Sequence, residues 1–181
     1  MGTRNLTKVI DSTGRTRVAQ YGQWDGYPDY TGTRILDFIS EYRMIDKIEK
    51  ALRKAHFVSE EELQSFYSGY EVSEDGLWSM EEADRFGIIY PNLTRDTGCD
   101  ILKVLVYSVG YTLALKDESE FENDDLYCEG VYTLNYQTRE FISTWNGITV
   151  SFSFDALPDK EKYLSGFKEQ PIMSDASATL F

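Results

Sequence analysis

The chain carries little of the chemistry that can be recognised directly in a sequence. It has one histidine, His56, and two cysteines, Cys99 and Cys128, in 181 residues. A single imidazole excludes zinc sites built on paired histidines and any two-histidine proton relay. The sequence also has no P-loop, GxGxxG, GxSxG or CxxC motif. These enzyme classes are excluded, and we predict a protein without catalytic residues, metal or cofactor.

The histidine and the thiols have simple structural interpretations. His56 follows a helical stretch, which is typical of a partly exposed histidine at a helix end. Two cysteines do not make a disulfide framework, and the N-terminus has no apolar segment typical of a secretory signal. We therefore expect Cys99 and Cys128 to be buried, reduced thiols in a cytoplasmic protein, with no membrane segment.

The most unusual local sequence is YGQWDGYP at residues 21–28. Trp24 and Tyr27 would stack on a ligand such as a carbohydrate, and Asp25 would accept hydrogen bonds from it. In the alternative interpretation, Asp25 and Gly26 form a turn and the two aromatic residues pack beneath it. We favour the turn, because no second polar cluster marks a site. A small carboxylate-dependent hydrolase or ligand-binding domain centred on this loop stays as the alternative function.

The charge of the chain is distributed unevenly. The net charge is −13, with 18 Lys and Arg against 31 Asp and Glu. Residues 1–54 carry ten bases and seven acids, a net charge of +3, whereas residues 55–181 carry eight bases and 24 acids, a net charge of −16. Two tracts, residues 55–84 with nine acids and residues 117–138 with seven, contain no Lys or Arg. Half of all the acids lie in these two tracts.

A single-sign field of this kind repels nucleic acid and attracts basic partners. We therefore expect no direct DNA binding and predict that the acidic tracts bind a basic protein surface. The alternative is that they are solvated faces that maintain solubility. The predicted partner-binding residues are Glu60, Glu61, Glu81, Glu82, Asp117, Glu118, Glu120, Glu122, Asp124 and Asp125.

The elements that must position these residues follow from hydrophobic periodicity and turn signals. An N-terminal hairpin is predicted from alternation over residues 5–10 and β-type residues at 17–21. Helices are predicted after Thr31 or Thr33, over residues 44–54, after Ser59, over residues 79–86, and after Asp96 or Thr97. Strand patterns follow at residues 111–115, 126–136, 139–145 and 148–154, with an Asn146-Gly147 turn between the last two.

This order of elements predicts an α+β fold, with an antiparallel sheet formed by the N- and C-terminal strands and a helical segment between them. The sequence shows no repeat and no linker. We therefore expect residues 1–181 to form a single domain, with weak helical character at residues 158–167 and a frayed C-terminal tail.

Four segments of the chain resemble a family of small proteins encoded by bacteriophages, prophages and bacteria. They are MGTRNLT at residues 1–7, AQYGQWDGYP at 19–28, RDTG at 95–98 and LYCEGVY at 126–132. The resemblance spans about residues 1–135, and its most specific part is the QWDGYP block. The resemblance indicates a relationship to this family more strongly than it indicates a particular activity.

Some members of this wider group look like anti-CRISPR proteins directed at Cas9-type nucleases. The resemblance therefore implies an inhibitor that acts in the cytoplasm of the bacterial host, binds a Cas nuclease or its guide-RNA complex, and blocks DNA recognition or cleavage. Such an effector holds nucleic acid in a positively charged channel, which the acidic tracts would occupy. A basic face would touch guide RNA, formed by Arg43, Lys47, Lys50, Arg53 and Lys54. A phage structural or assembly protein is a third possibility.

Overall fold

A computed structural model describes residues 2–71 and 78–168 of the chain. Its strands are β1 (Asn5–Ile10), β2 (Thr16–Gly22), β3 (Ala55–Phe57), β4 (Leu113–Leu115), β5 (Gly130–Asn135), β6 (Glu140–Trp145) and β7 (Ile148–Ser153). Its helices are α1 (Thr33–Ser40), α2 (Met44–Ala51), α3 (Glu60–Tyr67), α4 (Met80–Ile89), α5 (Ile101–Tyr107) and α6 (Lys160–Ser165). The predicted frayed tail, from residue 169 onward, lies outside the described residues.

The α+β class is confirmed, but the main sheet is mixed and not purely antiparallel. Its strand order is β2-β1-β5-β6-β7. The pairs β1–β2, β5–β6 and β6–β7 are antiparallel, whereas β1 and β5 run parallel from Asn5↔Gly130 to Ile10↔Asn135. A parallel pair needs a long crossover, and all of the helices from α1 to α5 lie in the connection between β2 and β5. The sequence pattern gave no information on this relative direction.

The main core lies between one face of the sheet and the helices. Val9, Val18, Leu134 and Phe141 point to this face and belong to one buried cluster with apolar side chains of α1, α2 and α5. On the opposite face, the alternate residues of β7 are exposed to solvent. The sheet is therefore buried on one face throughout, and its β1–β2 end is covered on the other face by a later segment of the chain.

Helix boundaries follow the capping signals only in part. The Ser59 hydroxyl accepts a hydrogen bond from the Glu62 backbone N–H at 3.1 Å, as the predicted capping box requires. Ser79, which the prediction placed inside its helix, likewise caps α4 by accepting from the Glu82 N–H at 3.1 Å. Thr33, by contrast, begins α1 without capping it, because its hydroxyl donates to the backbone oxygen of Asp29 at 2.8 Å. The proposed caps before α5 are likewise replaced by a 3₁₀ turn at Gly98–Asp100.

A second, two-stranded sheet pairs β3 with β4 in parallel. The strand β4 falls within the predicted segment 111–115, whereas the three-residue β3 was not predicted. His56 lies in β3, directly after the helical stretch, and is partly buried. Its Nε2 lies 3.0 Å from Oε1 of Glu62. None of the helices in the described ranges is long and apolar enough to cross a membrane.

The loop between β2 and α1 is fixed to the sheet through Gly26. Its N–H donates to the backbone oxygen of Thr3 at 3.0 Å, and its carbonyl accepts the hydroxyl hydrogen bond of Tyr132 at 2.6 Å. Tyr132 is 1% exposed. The buried side chain of Tyr132 in β5 thus attaches the QWDGYP loop to the sheet.

Substitution of Tyr132 by Phe tests this attachment. Removing the hydroxyl leaves a buried carbonyl without its donor, so we expect the free energy of unfolding to fall by about 1–3 kcal/mol. Urea denaturation measures the change. Tyr42→Phe is the matched control, because Tyr42 is 85% exposed. Equal stability of the two variants would contradict this role for Tyr132.

Candidate functional site

The second acidic tract crosses the sheet as a strap. This acidic strap, residues 117–129, begins at the outer edge of β2, where Asp117 forms a bridge with Ala19. The Glu118 N–H donates to the Ala19 carbonyl at 3.1 Å, and the Glu118 carboxylate accepts from the Tyr21 N–H at 2.7 Å. Glu118 thus provides hydrogen-bond partners for the outer edge of β2, which no other described strand of the main sheet pairs with. Burial raises the pKa of its carboxyl group.

The strap continues across the face of β1 and β2 that points away from the helices. The ring of Phe121 meets Tyr21 edge to face at 4.7 Å between centroids. Glu122 forms an ion pair with Lys8 of β1 at 2.6 Å. At the far end, the Arg4 guanidinium lies 4.5 Å from the ring centre of Tyr127. These contacts give Phe121 and Glu122 a structural role.

The remaining acids of the strap divide into turn-forming and exposed groups. The Asp117 carboxylate accepts from the Ser119 N–H at 3.1 Å, and the Asp124 carboxylate accepts from the Tyr127 N–H at 3.0 Å. Glu120 and Asp125 are exposed and form no salt bridge with another described residue. Of the six predicted partner-binding acids here, these two are exposed and have no structural contact with another described residue assigned to their carboxylates.

The first acidic tract lies on α3 and α4. Glu60, Glu61 and Glu81 are exposed in the first turns of these helices, where negative charge also stabilises the helix dipole. Glu82 is partly buried and lies 3.6 Å from Arg85. Two further acids of this tract, Glu74 and Asp75, lie outside the described residues.

The two tracts meet at one groove. This acidic groove has a volume of about 470 Å³ and an aromatic lining that includes Tyr67, Trp78 and Phe86. Asp84 from the first tract and Glu118 from the second both line it. The full lining also contains two bases, and comprises Tyr21, Tyr67, Trp78, Ala83, Asp84, Phe86, Leu93, Thr94, Arg95, Asp96, Lys116 and Glu118. Of the three acids that line the groove, only Glu118 was among the predicted partner-binding residues, and the sequence did not predict that the tracts adjoin.

The QWDGYP loop separates its two aromatic side chains. Trp24 is 57% exposed. Tyr27 packs against Trp145 of β6, with ring centroids 5.3 Å apart. Asp25 has a left-handed backbone, with φ of 52°, and its carbonyl accepts from the Thr31 hydroxyl at 2.7 Å. Tyr27 matches the packing interpretation only in part, because it packs on Trp145 but is 47% exposed, whereas Trp24 and Asp25 are accessible.

Trp24 and Asp25 face a second polar segment across a cleft of about 200 Å³. This loop cleft is lined by Asn5, residues 22–25, Tyr30, Thr31, Arg34 and residues 96–100. Arg34 closes one side, because its Nη2 donates to both carboxylate oxygens of Asp100, at 2.8 and 2.7 Å. The polar cluster that the sequence did not reveal is therefore supplied by residues 96–100, which overlap the RDTG segment of the resemblance.

The cysteines are free and partly buried. Burial raises the pKa of Cys99, and burial with nearby carboxylates raises that of Cys128 to about 11. Both thiols are therefore protonated near neutral pH. Among residues 2–71 and 78–168, no group of three or more His, Cys, Asp or Glu side chains has an arrangement suited to a metal ion.

In comparisons with protein-family models, curated proteins and solved structures, nothing matches this chain.

Substitutions of Glu118 test whether its carboxylate is structural. The pKa of the Glu118 carboxyl group is raised above the ordinary 4.5, so the folded state favours its protonated form. The contribution of Glu118 to the free energy of unfolding is therefore greatest at low pH, and it declines as pH rises through the pKa in the folded state. Glu118→Gln keeps an acceptor for the Tyr21 N–H without the charge. We expect the difference in free energy of unfolding between the Glu118→Gln variant and the unsubstituted chain to shift in favour of the variant as the pH is raised from about 4.5 to 7. Glu118→Ala should lower stability by about 1–2 kcal/mol.

Denaturation curves at several pH values measure both effects. Glu120→Gln is the control, since Glu120 is exposed on the same strap and should show no comparable pH trend. If the stability of the Glu118→Gln and Glu120→Gln variants depends on pH in the same way, the structural role assigned to the Glu118 carboxylate is wrong.

Proposed function

We propose that this protein is a phage-derived, non-catalytic inhibitor of bacterial CRISPR immunity that binds a Cas9-type nuclease through its acidic surface. The observation that carries the proposal is the meeting of the two acidic tracts at one groove. Asp84 from the first tract and Glu118 from the second line this groove together, although the tracts lie more than 30 residues apart in the sequence.

Electrostatics favours this kind of partner. Glu60, Glu61, Glu81, Glu120 and Asp125 are exposed, and no salt bridge joins them to another described residue. A channel that binds nucleic acid carries Lys and Arg side chains arranged for phosphates. Carboxylates presented on a folded surface would compete for those side chains and block DNA recognition or cleavage.

The aromatic lining of the groove adds a reason for a protein partner. Trp78 and Phe86, which line the groove, meet edge to face at 4.9 Å between centroids, and Tyr70 beside them stacks on Trp78 at 5.4 Å. On the helix that carries Phe86, Met80 and Ile88 are more than four-fifths exposed. Apolar and aromatic side chains beside charged ones are typical of protein interfaces. Arginine from a partner would find both carboxylates and aromatic rings here.

The basic residues lie on a different element. Lys47, Lys50 and Arg53 are exposed on α2 and the turn that follows it. The separation of these bases from the acidic groove would orient the inhibitor in the field of a nuclease bound to guide RNA, although α2 also carries the exposed acids Asp46 and Glu49. In this arrangement the acidic groove faces protein and α2 faces RNA.

A charge-neutralised variant tests the proposal. Glu81, Asp84 and Glu120 are changed together to Gln, Asn and Gln, which neutralises the exposed acid that lines the groove and leaves the structural acids Glu118, Glu122 and Asp124 in place. Purified protein is mixed with a panel of Cas9–guide complexes, and cleavage of a target plasmid is measured. We expect inhibition at near-stoichiometric amounts, weakened at least about tenfold by the triple variant and weakened further by added salt.

The matched control neutralises Asp29, Glu41 and Glu161, which are also exposed but lie away from the groove and from α2. It should inhibit as well as the unsubstituted chain. Unimpaired cleavage by every enzyme of the panel at large excess of the protein would refute the proposal. An equal loss of inhibition in the control would refute the assignment to this surface.

A further inference from the structure

We propose that the loop cleft is a binding site for a guanidinium group. The inference is independent of the proposed inhibitor function and concerns a different part of the molecule. It rests on an unused buried acceptor, on two carboxylates without ionic partners and on an exposed indole, all of which line the same small cleft.

The buried acceptor is Asn5, which begins β1 and is 1% exposed. Its Nδ2 donates to the carbonyl oxygens of Gly22 and Trp24, at 3.4 and 3.3 Å. Its Oδ1 has no hydrogen-bond partner among the residues that the structure describes. A buried amide oxygen without a donor is unfavourable. A ligand that fills the cleft should therefore carry N–H or O–H groups.

The charge of the cleft selects a cation. Asp100 is compensated by Arg34 and by Lys103, whose Nζ lies 2.9 Å away. Asp25 and Asp96 are exposed and form no salt bridge within the described part of the chain. Two carboxylates on one small cleft favour a cationic donor over a neutral or anionic one.

Trp24 and the size of the cleft favour a flat cation. A Cβ added to Gly2 would lie 2.6 Å from the indole ring, so the N-terminal chain packs closely against one part of Trp24. The rest of this side chain is exposed, and indole is the best aromatic partner for a cation. A guanidinium is planar and has five N–H donors, whereas an ammonium is compact and strongly hydrated. The volume of about 200 Å³ suits a single small group of this kind.

The loop is already held in place for binding. Hydrogen bonds at Gly26 and from Thr31 to the Asp25 carbonyl fix the turn on which Asp25 adopts its left-handed backbone. Because these contacts do not involve the exposed side chains of Trp24 and Asp25, little ordering is required when a ligand enters. The guanidinium would come either from a free small molecule or from an arginine side chain of a peptide.

The experiment is an NMR titration of the full chain labelled with ¹⁵N. Methylguanidinium is the probe, with methylurea as its neutral isostere and methylammonium as the compact cation. We expect saturable shifts of the Trp24 indole N–H and the Gly22 and Gly98 amides with methylguanidinium, and at least about tenfold weaker binding of both analogues. The peptides Gly-Arg-Gly and Gly-Lys-Gly then distinguish an arginine side chain from a free guanidinium compound.

Variants locate the site. The double substitution Asp25→Asn with Asp96→Asn should weaken methylguanidinium binding about tenfold, because it removes both uncompensated charges. Neutralising two exposed acids elsewhere, Glu41→Gln with Glu49→Gln, controls for the general loss of negative charge and should have no effect. Equal binding of methylurea or methylammonium, shifts that map outside the loop cleft, or an unaffected double variant would each overturn the proposal.

Discussion

The position of β1 between β2 and β5 is the constraint on which the rest of the structure depends. This strand is paired along both edges, in opposite senses, and is covered on both faces. Helices cover Val9 on one side, and the acidic strap covers Lys8 on the other. Because β1 is enclosed, the residues at its start are fixed as well, and Asn5 becomes part of the wall of a cleft at the end of the sheet.

The acidic residues serve two purposes that composition does not separate. Glu118 and Glu122 attach the strap to β2 and β1, and Asp117 and Asp124 form its turns. The charge that remains exposed is therefore smaller than the number of acids in the tract suggests. Within the described part of the chain, Glu120 and Asp125 carry exposed charge without a structural contact, whereas Asp117 and Glu122 are exposed and also hold the strap.

Sequence reasoning succeeded where the determining interactions are local. The N-terminal hairpin, the serine cap at Ser59 and the Asn146-Gly147 turn depend on residues within a few positions of one another. The parallel pairing of β1 with β5, the short β3 and the docking of the strap depend on distant contacts, which no local pattern contains. The QWDGYP loop falls between these cases. The left-handed backbone of Asp25 is a local feature, but the partner segment around Asp96 and Asp100 lies about 70 residues away and only the fold brings it near.

The pairing of β1 with β5 also has a consequence for the order in which the protein is assembled. Asn5 pairs with Gly130, 125 residues later in the chain. During synthesis, the first hairpin therefore emerges long before the strand that completes its sheet, with the inner edge of β1 unpaired and its strap absent. Contacts of such sequence separation slow folding and leave strand edges open to association with other chains. A nascent chain of this protein would thus depend on rapid completion of translation, or on a chaperone, to protect its own first strand.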